Sequence, residues 1–175
     1  MRRVLVVCYS LTGHTRQVAE MLAETCSADL ELIEDEGGHR YNPFDLVWLS
    51  LKALLGQDVR LRPQQHNPAE YDLVLIGTPT WAGSMASPVR SYIKANLGHF
   101  LQIALFATEG GRNGERAVMQ MAELARALPK AELVVTEPEL KSGAFRSKAM
   151  AFLAELGLPE GRSAATSSPG LGRAA

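Results

Sequence analysis

Ser10, Thr12 and Thr15 surround Gly13 in the string "SLTGHT" (10–15), directly after the apolar run "VLVVC" (4–8). Three hydroxyls and a glycine exceed what a plain strand-to-helix connection needs. A helix N-terminus presents unsatisfied N–H groups and a partial positive charge of about half an electron. Gly13 lets the backbone come close and the hydroxyls add donors, so the string forms a phosphate cradle of neutral groups. Capping alone is the plainer alternative, but a single serine or threonine satisfies a cap. His14, inside the string, either adds positive charge beside the anion or contributes only its backbone N–H.

Other phosphate chemistries fail on spacing. A nucleotide-triphosphate loop needs G-x-x-x-x-G-K-[ST], and a dinucleotide fingerprint needs G-x-G-x-x-G. Neither string occurs, and "GGRNG" (110–114) does not match. A Cys-x5-Arg phosphatase loop beginning at Cys8 would need arginine where His14 stands, and Arg16 is two positions late. Cys8 is therefore expected to be a small core residue at a strand end.

Two more loops have unusual composition. In "GTPTWAGSMASP" (77–88), Gly77 is expected to end a buried strand, Pro79 to stiffen the turn, and Trp81 to surface. A flat aromatic there suits stacking on a planar ligand; packing over the sheet end is the alternative. Gly83 and Ser84 allow a ring edge to approach. In "ATEGGRNGE" (107–115), adjacent Gly110 and Gly111 suggest close backbone approach, with Thr108 and Glu109 available to a polar edge.

These loops must be held by the elements between them. Four near-continuous apolar runs, 4–8, 73–77, 103–108 and 132–136, read as strands buried on both faces, as a covered parallel sheet requires. The alternating run 29–34 reads as an edge strand. Helical spacing joins Val18, Met21, Leu22 and Thr25; Phe44, Val47, Trp48 and Leu51; Val89, Tyr92, Ile93 and Leu97; Val118, Met121, Leu124, Ala125 and Leu128; and Ala149, Phe152, Leu153 and Leu156. Asn42-Pro43 and Ser87-Pro88 read as caps followed by a proline at the first helical position. Strand and helix alternate five times, which predicts a doubly wound α/β sheet with right-handed crossovers. In such sheets ligands sit beyond the carboxyl ends of the strands, where all three loops lie.

The 175 residues suit one domain; 46% are hydrophobic and 21% charged, enough for a real core. A net charge of −1 gives no sign of nucleic-acid or membrane binding. No apolar stretch approaches the roughly 18–20 residues of a membrane span. "MRRVLVV" reads as the first strand rather than a signal peptide, and with only Cys8 and Cys26 the expectation is a cytoplasmic protein without a structural disulfide. The loop 36–42 is expected to be flexible. The long connection 56–70 is expected to be functional or mobile. Residues 157–175 are expected to form a disordered tail.

Together the three loops resemble those of the flavodoxin-like family. "YSLTGHT" is similar to that family's FMN-phosphate loop, T/S-x-T-G-x-T after a tyrosine and the first strand. "GTPTWAG" is similar to its second flavin loop, and "ATEGG" stands in the place of the third. The likeness covers roughly residues 1–156, which would form the FMN-binding domain. It implies a three-layer sandwich around a five-stranded parallel sheet of order 2-1-3-4-5, and noncovalent FMN. Ser10, Leu11, Thr12, Gly13, His14 and Thr15 would then hold the phosphate. Pro79, Thr80, Trp81, Ala82 and Gly83 would line the flavin ring, and Thr108, Glu109, Gly110 and Gly111 would close its other side.

Electron-carrier flavodoxins are strongly acidic, whereas this chain is near neutral and carries Arg112 in its third loop. "TPTWAGSMASPVRSYI" looks more like flavodoxin-like NAD(P)H or quinone oxidoreductases. The resemblance thus implies an FMN-dependent oxidoreductase with NAD(P)H or quinone as partner and no catalytic side chain. The alternatives are a pure electron carrier, or a flavin-binding sensor whose contact surface includes Arg60, Arg62 and His66. His39 and Arg40 stand as candidate contacts for a nicotinamide cofactor's phosphate, against the commoner reading of solvated loop charges. Pairing with a second copy of the chain stays open.

Overall fold

Along the apolar runs 4–8, 73–77 and 103–108, successive side chains point to opposite sides of the sheet, and both sides are buried; in 132–136, at the sheet edge, only Leu133 and Val135 are buried. Leu5, Val7, Val74, Ile76, Ile103, Leu105 and Ala107 enter one core; Val4, Val6, Cys8, Leu73, Leu75, Ala104, Phe106, Leu133 and Val135 enter the other. This two-sided burial is why the runs are continuous rather than alternating. A computed structural model describes residues 2–36 and 56–158.

The strands are β1 (Val4–Cys8), β2 (Asp29–Leu32), β3 (Leu73–Trp81), β4 (Ser84–Met85), β5 (Ile103–Glu109) and β6 (Glu132–Thr136). The helices are α1 (His14–Cys26), α2 (Ser87–Ala95), α3 (Gly114–Ala125), α4 (Glu137–Ser142) and α5 (Phe145–Glu155). Sheet order is β2-β1-β3-β5-β6, with every pair along it parallel. Apart from the two-residue β4, which pairs antiparallel with β3, this is the expected order. Val89, Tyr92, Ile93, Val118 and Met121 fill the core under α2 and α3. Val18, Ala19, Leu22, Ala149, Phe152 and Leu153 fill the core under α1 and α5.

Several local expectations change. β3 does not end at Gly77; it continues to Trp81 and folds back as a hairpin, with Thr80 opposite Met85 and Trp81 opposite Ser84. Gly77 is instead a packing residue, because a Cβ there would strike the Phe106 ring. β1 pairs with β3 only as far as Gly77, so Pro79 sits where one flank of β3 is an edge and a missing N–H is tolerated. β2 stops at Leu32. Ser87 does not cap α2: it is the first helical residue, Ala86 is the cap residue, and the Ala86 N–H donates to Thr78 Oγ1 at 3.0 Å. Leu97 and Leu128 lie past their helices, and Leu128 is 92% exposed rather than part of a buried face. The apolar face of α1 is completed by Ala19 and Ala23, while Met21 and Thr25 are only partly buried.

The 56–70 connection is tied down. The Arg62 N–H donates to the Glu34 carbonyl, the Glu36 N–H to the Arg60 carbonyl, and Asp35 bridges antiparallel to Leu61. Buried Glu31 accepts the N–H groups of Gln65 (2.9 Å) and His66 (2.7 Å). The segment thus lies along the β2 side of the sheet. The amphipathic run 44–51, its Asn42-Pro43 start, His39, Arg40 and residues 159–175 lie outside the described residues. Leu158 is still buried.

Candidate functional site

The loops after β1, β3 and β5 meet at the carboxyl end of the sheet around a cleft of about 600 Å³. Thr12, His14, Thr15, Pro79, Thr80, Trp81, Ala82, Gly83, Thr108, Glu109, Gly110 and Gly111 line it. Ser10, Leu11 and Gly13 do not. They shape the loop: Ser10 Oγ accepts the Gly13 N–H at 3.1 Å, Leu11 packs against the core, and Gly13 holds φ 92°, which favours glycine although a Cβ would meet nothing. The Gln17 N–H closes the first helical bond, to the Gly13 carbonyl. The N–H groups of His14, Thr15 and Arg16 therefore have no acceptor among the described residues. Such amides at the start of a 13-residue helix are a ready anion site.

The second wall is the β3–β4 hairpin. Its two turn residues, Ala82 (φ 49°) and Gly83 (φ 72°), are both left-handed, the pattern a tight two-residue hairpin demands. Trp81 is only 6% exposed and meets the Tyr9 ring edge-on, with centroids 5.7 Å apart. Most of its surface thus packs over the sheet end rather than lying open to a ligand. Thr80 Oγ1 is buried beside the cleft without a hydrogen-bond partner. Burial pushes the Tyr9 phenol up, with the Asp35 charge adding to it.

The third wall joins the first directly. Thr15 Oγ1 and Thr108 Oγ1 lie 2.7 Å apart. Glu109 turns away to accept the Gly114 N–H at 2.7 Å, capping α3. Sequence reasoning missed Asn113, Glu137 and Leu140 as cleft residues. Asn113 (φ 78°) precedes Gly114, a turn signal legible in the sequence. Glu137 and Leu140 come on α4, whose start is marked by the readable Thr136-x-x-Glu139 capping box. The Lys141 ammonium, 2.6 Å from Glu137, holds that carboxyl below its ordinary range, with a smaller contribution from His14. Arg112 also lines the cleft and has no ion pair among the described residues.

The donor set fits a phosphate-bearing aromatic cofactor: free helix-start amides and threonines at one end, hairpin backbone and an orphaned hydroxyl along the side. It does not fit a cysteine phosphatase. Cys8 is fully buried, burial pushes its thiol up to about 12, and Arg16 is paired with Glu20. A larger groove of about 1100 Å³ runs between α3, β6 and α5, lined by no residue of the 10–15 or 77–88 loops.

Comparison with known proteins agrees with this geometry. A family model described as flavodoxin matches residues 3–151. A flavoprotein from Lactobacillus acidophilus NCFM, solved in complex with FMN, is 23% identical, with a TM-score of 0.63 over 82% of this chain and 99% of that one. A Bacteroides eggerthii protein assigned as a flavoprotein is 22% identical, with a TM-score of 0.68 over 87% and 98%. A curated NAD(P)H dehydrogenase (quinone) from Acidithiobacillus ferrooxidans is 32% identical over 95 residues. That match spans 53% of this chain and about half (46%) of the relative.

Proposed function

The chain belongs to the flavodoxin family, and on that premise we propose that it holds FMN in the three-loop cleft and works as an NAD(P)H- or quinone-linked oxidoreductase. The observation that carries the cofactor is the set of unpartnered N–H groups at the start of α1, where His14 and Thr15 line the same cleft as the β3–β4 hairpin. Bound FMN supplies the redox chemistry, accepting and donating electrons in ones or twos.

The chain's own residues bind and orient. The α1 amides with the Thr12 and Thr15 hydroxyls hold the phosphate without a lysine, which suits a phosphate that is never cleaved. The 82–83 turn and the Gly110–Gly111 backbone bring main-chain groups near the ring edge. Trp81 and Tyr9, packed edge-on, keep water from the sheet end. No side chain is assigned as a general acid or base.

The enzymatic reading is favoured over the acidic carrier by the net charge of −1, by Arg112 on the cleft, and by the quinone-dehydrogenase relative. The experiment is anaerobic addition of NADH or NADPH to the FMN-loaded protein, watched near roughly 450 nm, then addition of a quinone. Bleaching by the nucleotide and recovery with quinone is the expected result. Bleaching only when a separate reductase is supplied would identify a carrier instead.

A further inference from the structure

We infer that Thr108 is a positioning residue that turns the Thr15 hydroxyl proton toward the phosphate end of the ligand, an inference that rests on the FMN reading above. The two hydroxyl oxygens are 2.7 Å apart, and the residues are 1% and 4% exposed. Two hydroxyls carry two protons, and the hydrogen bond between them uses one. The other proton has no acceptor among the described residues. Thr25, on the same helix, shows the ordinary alternative: its Oγ1 donates to the Met21 carbonyl one turn back, at 2.7 Å. Thr15 makes no such bond to Leu11; its oxygen faces β5 instead.

Both threonines line the cleft, and Thr15 stands in the first turn of α1 with the free amides. An anion there sorts the pair. If Thr15 donated to Thr108, its lone pairs would face the anion and the Thr108 proton would be stranded. If Thr108 donates to Thr15, the Thr15 proton is free to point at the anion, and each bond in the chain polarises the next. A residue of the third loop thereby sets how well the first loop recognises phosphate.

The test compares FMN with riboflavin, which lacks the phosphate, by quenching of flavin fluorescence on the flavin-free full chain. Thr108→Val should weaken FMN about three- to tenfold, as losing one hydrogen bond does, while riboflavin affinity changes less than about twofold. Thr108→Ser should restore FMN binding to within about twofold of the parent. In a Thr15→Val background, Thr108→Val should have almost no further effect on FMN. Melting temperature of the flavin-free variants separates a folding defect from a binding one. Equal weakening of both flavins, an unchanged FMN affinity in Thr108→Val, or a Thr108→Ser variant as weak as Thr108→Val would each overturn the inference while FMN binding by the parent stands. A parent chain that binds neither flavin overturns the FMN reading and this inference with it.

Discussion

Gly77 shows how one residue can be right in type and wrong in reason. Its composition context reads as a strand end, yet the strand runs on, and the glycine is needed because the Phe106 ring occupies the space a Cβ would take. Gly77→Ala therefore overpacks a fully buried site and should cost about 1–3 kcal/mol, read from urea unfolding; a loss below about 0.5 kcal/mol would show that Phe106 moves aside freely. The candidate cradle residues stand out in the sequence because hydroxyls and glycine cluster at a strand end. What was not legible is their division of labour. Ser10 and Gly13 bond each other to shape the loop, and Thr15 reaches across to Thr108, a contact between positions 93 apart in the chain that no local pattern announces.

The elements were largely readable from their periods. Near-continuous apolar runs read as strands of a covered sheet, and β1 and β6 fall at the expected residues, although of the two only β1 is buried on both faces. The β3–β4 hairpin was hidden because a two-residue strand has no period and its turn uses Ala82 where asparagine or glycine is usual. An alanine at φ 49° is strained, so Ala82→Asn should stabilise the fold by roughly 0.5–1 kcal/mol; thermal unfolding that shows no gain would mean the turn is not as tight as described. Helix α4 was missed although its capping box was there to read. The Thr136 backbone N–H and then the Lys148 ammonium hold Glu139 below its ordinary value of 4.5. A carboxyl lowered by folding contributes stability that is present above pH 4.5 and lost as pH falls through its folded value. Melting temperature should thus drop as pH is lowered below 4.5, and Glu139→Gln should flatten part of that drop. An identical slope in the variant would remove Glu139 from the account.

At the scale of the molecule, both sheet edges are managed rather than left open. On the β6 side, the Lys148 ammonium donates to the Val134 carbonyl at 2.9 Å and pairs with Glu139, which places a lysine on the exposed edge. On the β2 side, the 56–70 connection is pinned through Glu31, and its Arg62 and His66 are engaged with Glu34 and Tyr71. Of the expected contact surface of Arg60, Arg62 and His66, two members are thus already engaged within the chain. Glu31→Gln weakens two bonds from backbone N–H groups to a charged acceptor and should cost about 1–3 kcal/mol, with faster amide exchange at Gln65 and His66; unchanged exchange there would show that the connection is held by other contacts. No helix among the described residues is long and apolar enough to cross a membrane. The central claim is that one cleft, built by three loops, holds FMN. Hydrogen exchange of the full chain with and without FMN tests it most directly. The account predicts saturable binding, with slowed exchange at the amides of His14, Thr15 and Arg16 and along the 82–83 and 110–111 turns. No saturable binding, or slowing confined to the groove between α3, β6 and α5, would contradict it.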